Sequence, residues 1–297
     1  MAKANAAYYA TRPFGADFIT APELTQVFGE LLGAWAKVVW QMLGAPKDII
    51  LAEAGPGRGV LMQDALRVWP APSVHFIETS PLLRAEQASR VPHATWHETL
   101  ATMPPGPLIL LANEFLDALP VRQFIHRPQG WMERYVENGA YAEQPADYPL
   151  PDDPVGSVRE VNEAALDFCR QLATRGAVAL FIDYGPATSE AGESVQAIRD
   201  GAPADPLQEP GLADITAHVD FAALLRITHG QGPVKQNSFL TALGLYQRSD
   251  VLARKHPHKA RDLQLAVQRL TAPEAMGSLF KVFCLCPPDL PILPGFA

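Results

Sequence analysis

Short uninterrupted apolar runs recur along the chain, and each predicts a strand that is buried on both faces. The first is Ile49 to Ala52, and two others extend from Pro107 to Phe115 and from Ala177 to Gly185. Apolar runs of this length that end on polar residues are typical of parallel strands in an α/β sheet. The segment "LFKVFCLC" near the end of the sequence predicts a last strand, antiparallel and at the sheet edge.

Other spacings predict the elements between these strands. "LMQDALRVW", from Leu61 to Trp69, has apolar residues three and four positions apart, as in an amphipathic helix. "VRQFIHR" and "GWMERYVE" alternate instead and predict a β-hairpin inserted after the fourth strand. Residues 186–210 are rich in Gly, Ala, Pro and acids and predict a loop or lid, whereas residues 211–275 predict a helical module on the substrate side. We therefore predict one α/β domain over residues 1–297, with insertions at about 119–175 and 186–275.

Three glycines follow the first strand within five positions, in "EAGPGRG" from Glu53 to Gly59. A glycine loop that opens a helix lets a ligand approach the backbone, and the free N–H groups of the helix point at it. The NAD-binding fingerprint needs its last glycine at position 60, where Val60 stands, so an NAD-dependent oxidoreductase is disfavoured. The spacing is similar to the first motif of methyltransferases that use S-adenosylmethionine (SAM), in which the acid, here Glu53, helps to hold the cofactor's ammonium group.

Glu78 ends a second predicted strand, from Ser73 to Ser80, about twenty residues beyond the glycines. A ribose-binding acid is expected at this distance in proteins that bind a nucleotide-like cofactor, because a carboxylate accepts hydrogen bonds from the ribose hydroxyls. Taken alone, an acid at a strand end is equally well explained as an exposed surface residue. Its register with the glycine loop favours a role in cofactor binding.

Candidate catalytic residues follow the fourth strand. "LANEFLDALP" places Asn113, Glu114 and Asp117 together at the strand end, which faces the reacting methyl group in a SAM-binding sheet. Paired carboxylates bind a planar guanidinium through charge-assisted hydrogen bonds and can orient one nitrogen for attack. The alternative is that Glu114 and Asp117 only cap the turn and helix that follow.

More polar residues occur further along the chain. "FIDYG" adds Asp183 and Tyr184, and "ADITAHVDF" places His218 between Asp214 and Asp220. A single histidine is more commonly structural, and the flanking carboxylates make a general base the alternative. We therefore include His218 among the candidate catalytic residues.

Composition excludes several classes of protein. A net charge of −8 over 297 residues argues against a duplex nucleic-acid partner, which usually contacts a basic face. The sequence has no stretch of 18 apolar residues, so we predict no membrane insertion. The first residues match neither a signal peptide nor a transit peptide, and we therefore predict a cytoplasmic location. The three cysteines lack metal-ligand spacing, and we expect no metal site.

Six segments occur in the order found in one known family. They are "DFITAPELTQVFGELLGAW", "EAGPGRGVLMQDALR", "ANEFLDALPVRQF", "IDYG", "ADITAHVDF" and "MGSLFKV". On these segments, which cover the chain from about Asp17 to its end, the sequence resembles the MidA-like family of SAM-dependent methyltransferases. The resemblance implies a Rossmann-like sheet with helices on both faces, and SAM as the cofactor.

The resemblance also assigns roles to residues. It implies that the SAM loop consists of Glu53, Gly55, Gly57 and Gly59, that Glu78 binds the ribose, and that Asn113, Glu114 and Asp117 form the strand-end site. The segment that closes over the cofactor would include Asp17, Thr20 and Pro22.

Mitochondrial members of that family are linked to assembly of respiratory complex I through methylation of an arginine on one of its subunits. The resemblance therefore implies a protein arginine methyltransferase with a protein substrate. A subunit of complex I is one candidate for that substrate. The alternative is an assembly factor that binds SAM without catalysing methyl transfer.

Overall fold

The computed structural model describes residues 1–12 and 19–297. Ten α-helices form within these residues: α1 Ala2–Thr11, α2 Ala21–Leu24, α3 Gln26–Met42, α4 Val60–Val68, α5 Pro81–Arg90, α6 Glu163–Thr174, α7 Phe221–Ile227, α8 Gln236–Ala242, α9 Leu245–Lys255 and α10 Ala260–Thr271. Short 3-10 turns form at Leu100–Thr102 and Pro257–Lys259, and a π-helical turn forms at Pro273–Gly277.

Fourteen strands form within the same described ranges: β1 Ile50–Ala54, β2 Val74–Ile77, β3 Thr95–His97, β4 Leu108–Asn113, β5 Arg122–Arg127, β6 Gly130–Glu137, β7 Ala140–Pro145, β8 Val158–Val161, β9 Val178–Tyr184, β10 Gln196–Arg199, β11 Ala202–Ala204, β12 Asp214–Thr216, β13 Gly230–Lys235 and β14 Phe280–Leu285. The apolar runs identified in the sequence correspond to β1, β4, β9 and β14, and the glycine loop joins β1 to α4 as predicted.

A seven-stranded sheet in the order β13-β14-β9-β4-β1-β2-β3 forms the centre of the molecule. The strands β3, β2, β1, β4 and β9 are parallel, and β14 pairs antiparallel with β9. The antiparallel direction predicted for the last strand is therefore confirmed. Its predicted position at the edge is wrong, because β13 pairs with the outer side of β14. The sequence of β13, "GQGPVK", lacks the apolar run from which the other strands were identified.

Helices cover both faces of this sheet, as predicted for the fold class. Side chains alternate along the strands, so that Ile109 and Leu111 of β4 pack on one face and Leu108, Leu110 and Ala112 pack on the other. The first face is covered by α3, α4 and α8 to α10, and the second by α6 and α7. This two-sided burial explains why β1, β4 and β9 are apolar throughout.

Two small sheets extend from the central one. The predicted hairpin is confirmed as β5 and β6, and it forms part of a four-stranded sheet in the order β7-β6-β5-β8. Residues 186–210, predicted as a loop or lid, contain β10 and β11, which join β12 in a three-stranded sheet. Those strands have three or four residues each, too short to give a periodic pattern.

The helices α8 to α10 lie elsewhere than expected. They were predicted on the substrate side, but their apolar residues join the core around α3, since an amphipathic helix must bury that face. None of their residues lines the cavities described below. The division of residues 1–297 into one domain with two insertions stays a prediction. No helix within the described ranges has the length and apolar character needed to cross a membrane.

Candidate active site

Two adjoining cavities open at the carboxyl ends of β1, β2 and β4. The chain leaves β1 towards β2 on one side while β4 lies on the other, and ligands of open α/β sheets bind where the strand order reverses in this way. The acidic cavity, of about 340 Å³, has Glu53, Asn113, Glu114 and Asp117 in its lining. The glycine-loop cavity, of about 350 Å³, is lined by Gly55, Gly57, Glu78 and Phe115, among others. Residues common to both linings are Tyr9, Gly55 and Glu114.

The glycine loop adopts a backbone that favours glycine. Gly55, Gly57 and Gly59 have φ angles of 63°, 50° and 79°, in the left-handed region. A Cβ atom at Gly55 would also lie 2.8 Å from the ring of Phe115. Gln87 holds the loop in place, since its side-chain nitrogen donates to the carbonyl of Gly57 at 2.7 Å. Gly55 lines both cavities and Gly57 lines the glycine-loop cavity, whereas Gly59 is in neither lining.

Glu53 lies at the end of β1 and is only 3% exposed. Its Oε2 atom has no hydrogen-bond partner within the described part of the chain. Burial raises the pKa of this carboxyl to about 8. A buried carboxylate without a partner is costly, and a cationic ligand in the cavity removes that cost. Glu53 thus fits the ammonium group of SAM.

Glu78 follows β2 directly and is fixed by three hydrogen bonds. Its Oε1 accepts from the backbone N–H groups of Thr79 and Ser80, each at 2.8 Å, and its Oε2 accepts from Gln87 at 3.1 Å. Burial raises the pKa of this carboxyl too. The side chain lines the glycine-loop cavity, where the sequence placed a ribose-binding acid. Glu98, which follows β3 and lines the same cavity, was missed, although it too is an acid directly after a strand.

Asn113, Glu114 and Asp117 lie together in the acidic cavity. Asn113 ends β4 and donates to Oε1 of Glu114 at 3.0 Å. The Oδ1 atoms of Asn113 and Asp117 are buried, and neither has a hydrogen-bond partner among residues 1–12 and 19–297. Burial, reinforced by the nearby Asp117, raises the pKa of Glu114 to about 8, and burial raises that of Asp117 to about 7.

Asp183 fixes the loop that carries these residues. It lies on β9 next to β4, and its Oδ2 accepts from the backbone N–H groups of Phe115, Leu116 and Asp117 at 3.2, 2.9 and 3.3 Å. These bonds hold the turn in which Glu114 has a left-handed φ of 51°. Asp183 is therefore a positioning residue, and its carboxylate is directed at the backbone.

Tyr9 on α1 was not identified from the sequence. Its hydroxyl donates to Oδ1 of Asp214 at 2.7 Å, across the acidic cavity from β4. Tyr184 and Thr216 line the same cavity. No Lys or Arg is found in that lining as far as the structure describes the chain. The local sequence gave no signal for Tyr9, because an aromatic residue in a short helix is usually part of the core.

His218 lies at the mouth of the acidic cavity and is exposed. Its ring packs edge-on against that of Tyr184, with 5.7 Å between centroids. The acids that flank it in sequence have other contacts: Asp220 caps α7 through the N–H of Ala223, and Asp214 accepts from the tyrosine hydroxyl of α1. His218 was predicted as a base because of these two carboxylates, and both of them bind other groups. They therefore do not support that prediction.

The segment before α3 closes part of the acidic cavity. Thr20 and Pro22 line it, as predicted for residues that close over the cofactor, whereas Asp17 lies outside the described residues. The N–H of Ala21 is 3.4 Å from Oε1 of Glu114. An ion pair between Glu23 and Arg58 joins this segment to the glycine loop.

The central sheet, the glycine loop and the two acids Glu53 and Glu78 define a SAM-dependent methyltransferase. Residues 31–238 match the model of the family described as "Putative S-adenosyl-L-methionine-dependent methyltransferase". The chain belongs to this family, and SAM is its cofactor.

Curated relatives are named more narrowly. "Protein arginine methyltransferase NDUFAF7 homolog, mitochondrial" from Drosophila melanogaster is 34% identical over an alignment that covers 95% of this chain and 78% of the relative. "Protein arginine methyltransferase NDUFAF7, mitochondrial" from Homo sapiens is 33% identical, with 91% and 74% covered. A crystal structure of a Burkholderia thailandensis protein bound to S-adenosyl-homocysteine superposes with a TM-score of 0.83 at 26% identity, covering 99% of this chain and 90% of that one.

These comparisons confirm the predicted fold class, cofactor and enzyme class, and they contradict one prediction. A cytoplasmic location was predicted, but the curated relatives are named as mitochondrial proteins. The prediction was wrong because the composition and the fold do not report location, which targeting signals determine.

Proposed function

We propose that the enzyme transfers a methyl group from SAM to the guanidinium of an arginine on a protein partner. The observation that carries the proposal is the acidic cavity, which contains Glu114, Asp117 and Asp214 and has no Lys or Arg among its described lining. The names of the curated relatives support the same substrate class.

A guanidinium suits this cavity for electrostatic reasons. Burial makes the charged form of each carboxyl less stable and so carries a free-energy penalty, as the raised pKa values of Glu114 and Asp117 indicate. A planar cation with five N–H donors relieves that penalty and can bond two carboxylates at once. The unpartnered Oδ1 atoms of Asn113 and Asp117 supply acceptors for it. A neutral alcohol or thiol substrate would leave the carboxylates unbalanced.

Each residue of the site has a role in the proposed methyl transfer. SAM supplies an electrophilic methyl group on a sulfonium when it is bound, with Glu53 at its ammonium and Glu78 at its ribose. Glu114 and Asp117 orient the guanidinium and hold its positive charge away from the attacking nitrogen. A nitrogen–carbon bond forms as the carbon–sulfur bond breaks, and one proton leaves the nitrogen. We assign that proton to Asp117 or Glu114, with exposed His218 as an optional relay to solvent.

The partner is proposed at two levels. At the coarser level it is a protein that presents an arginine, and at the finer level we propose a subunit of respiratory complex I. The finer level rests on the family resemblance described above, and the mitochondrial names of the relatives are compatible with it.

The test measures methyl transfer from labelled SAM to a respiratory complex I preparation, followed by identification of the labelled residue. We expect Glu114→Gln and Asp117→Asn to reduce single-turnover transfer by about 10²-fold or more, the usual contribution of a general base. Binding of S-adenosylhomocysteine, followed by calorimetry, should remain near the wild-type value in both variants. Glu137→Gln, on the exposed end of β6, is the matched control and should transfer normally.

Label on lysine or nucleic acid, or full turnover by a variant that combines Glu114→Gln and Asp117→Asn, would reject the site assignment. S-adenosylhomocysteine binding without transfer to any protein would favour the alternative of a SAM-binding assembly factor that is not a catalyst.

A further inference from the structure

Helix α1 connects the two cavities through Tyr9. We propose that Tyr9 is a positioning residue that couples cofactor binding to the substrate carboxylate Asp214, so that each ligand tightens the binding of the other. This inference rests on the proposed function, because it takes the acidic cavity as the guanidinium site.

One end of the connection lies beside the cofactor acid. The carbonyl of Tyr9 accepts a hydrogen bond from the hydroxyl of Ser80 at 2.7 Å. Ser80 caps α5, and its N–H donates to the carboxylate of Glu78 at 2.8 Å. Helix α1 is therefore held by the same short loop that fixes Glu78. A ligand that orders this loop also orders the contact between the loop and α1.

The other end lies in the acidic cavity. The hydroxyl of Tyr9 donates to Asp214 at 2.7 Å, and the two residues are 205 positions apart in sequence. Burial, together with the charges of Asp214 and Asp117, raises the pKa of this hydroxyl, which therefore stays a proton donor. The bond is one of the contacts that orient the carboxylate of Asp214 in the lining of the cavity.

Helix α1 can transmit the effect because it is tied at a third point. The side-chain nitrogen of Asn5 donates to the carbonyls of Ala118 and Ile215 at 2.9 and 2.7 Å, and the N–H of Ile215 donates back to Asn5 at 3.2 Å. Ala118 follows Asp117 directly, and Ile215 follows Asp214. A single helix thus contacts the loop of Glu78, the loop of Asp117 and the strand of Asp214.

The coupling has a defined thermodynamic form. When a ligand at one site fixes the position of α1, it also orders Asp214. Binding at the other site then no longer includes the free-energy cost of that ordering. The factor by which one ligand tightens the second must equal the factor by which the second tightens the first. Couplings of this kind commonly amount to about 5- to 150-fold. Loss of the phenol hydroxyl should break the connection while both cavities remain.

The experiment measures the dissociation constant of S-adenosylhomocysteine by calorimetry, with and without saturating N-acetyl-L-arginine amide. In the wild type we expect the probe to tighten binding about fivefold or more. In Tyr9→Phe the ratio should fall to about one, because the hydrogen bond to Asp214 is lost. Tyr246→Phe, on the exposed face of α9, is the control and should keep the ratio.

A second variant tests the other end of the connection. Ser80→Ala leaves the phenol in place, and it should lower the ratio as well if α1 must be seated on the loop. An unchanged ratio in Tyr9→Phe, or a wild-type ratio of one, would overturn the coupling. The proposed function is judged separately by methyl transfer to arginine, so a wild type that methylates arginine without coupling would reject Tyr9 alone.

Discussion

At the scale of single residues, the site is a set of buried carboxyl groups, and burial raises the pKa values of Glu53, Glu114 and Asp117. Glu53 and Asp117 are 3% and 4% exposed, and each has an oxygen without a hydrogen-bond partner in the part of the chain described. Such groups destabilise a protein unless a cation joins them. The cofactor, which has a sulfonium and an ammonium group, and the proposed guanidinium substrate would each supply such a cation. The buried carboxyls therefore destabilise the folded enzyme when no ligand is bound, and ligand binding offsets that loss of stability.

The glycine loop gives a prediction at this scale. Replacement of Gly57 by valine should abolish binding of S-adenosylhomocysteine, because Gly57 has a φ of 50° and lines the glycine-loop cavity. A β-branched residue is strained at that φ, and its side chain occupies ligand space. Calorimetry measures the binding, and circular dichroism during heating checks that the variant is folded.

Gly139→Val is the matched control. Gly139 has a φ of 79° in the exposed turn between β6 and β7, with no atom within 4 Å of an added Cβ. That variant suffers similar backbone strain and should keep wild-type affinity. Wild-type affinity in folded Gly57→Val would show that the cofactor does not approach the loop.

At the scale of elements, the active site depends on how neighbouring strands hold each other's ends. The carboxyl end of β4 bears Asn113 and Glu114, but the turn after it is held by Asp183 of β9. The sequence identified Asp183 as a polar residue at a strand end. Its role in holding the adjacent loop became visible only once the pairing of β4 with β9 was known.

Asp183→Ala tests this support. It removes the acceptor of four backbone N–H groups, three in the loop after β4 and that of Tyr184, and each buried donor left without a partner costs about 1 to 3 kcal/mol. Relief of the repulsion between Asp183 and Asp117 offsets part of the loss. We expect the free energy of unfolding, measured with urea, to fall by about 3 kcal/mol or more.

Asp220→Ala provides the comparison for that measurement. Asp220 caps α7 at its N-terminus, and loss of such a cap typically costs about 1 kcal/mol. If the two variants lose equal stability, the three N–H groups find other acceptors, and Asp183 does not hold the loop.

At the scale of the whole molecule, the buried carboxyls predict how stability depends on pH. The pKa values are raised to about 8 for Glu53 and Glu114 and to about 7 for Asp117, whereas ordinary carboxyls titrate near 4. The folded state therefore binds more protons than the unfolded state between these limits. Their contribution to stability is fully present below about pH 4 and is lost as the pH rises through 7 to 8.

We expect the melting temperature to fall between pH 6.5 and 8.5, a window above the ordinary pKa of histidine. Hydrogen bonding lowers the pKa of the Cys286 thiol to about 7, and burial lowers that of the N-terminal amine; both act in the opposite direction. Burial also raises the pKa of Asp183, which acts in the same direction as the three carboxyls. Glu114→Gln should show a smaller fall than the wild type in differential scanning calorimetry. A melting temperature that rises across the window would mean that these carboxyls are charged and compensated in the folded protein.

The sequence by itself determined the central strands, the glycine register and the acids at the carboxyl ends of β1, β2 and β4. It could do so because strands buried on both faces must be apolar, and because the carboxyl ends of parallel strands meet at one edge of the sheet. The acids at Glu53, Glu78 and Glu114 are brought to that edge by strand direction alone. Their chemistry could be inferred before any contact was known.

Only the tertiary structure decided which surfaces meet. It placed β13 outside β14, packed α8 to α10 into the core, left His218 exposed and brought Tyr9 to Asp214. None of these has a local signal. A hydrogen bond between residues 205 positions apart depends on how α1 packs against a three-residue strand. Periodicity reports whether a residue faces the core, and the partner that it meets there is set by the packing of the whole chain.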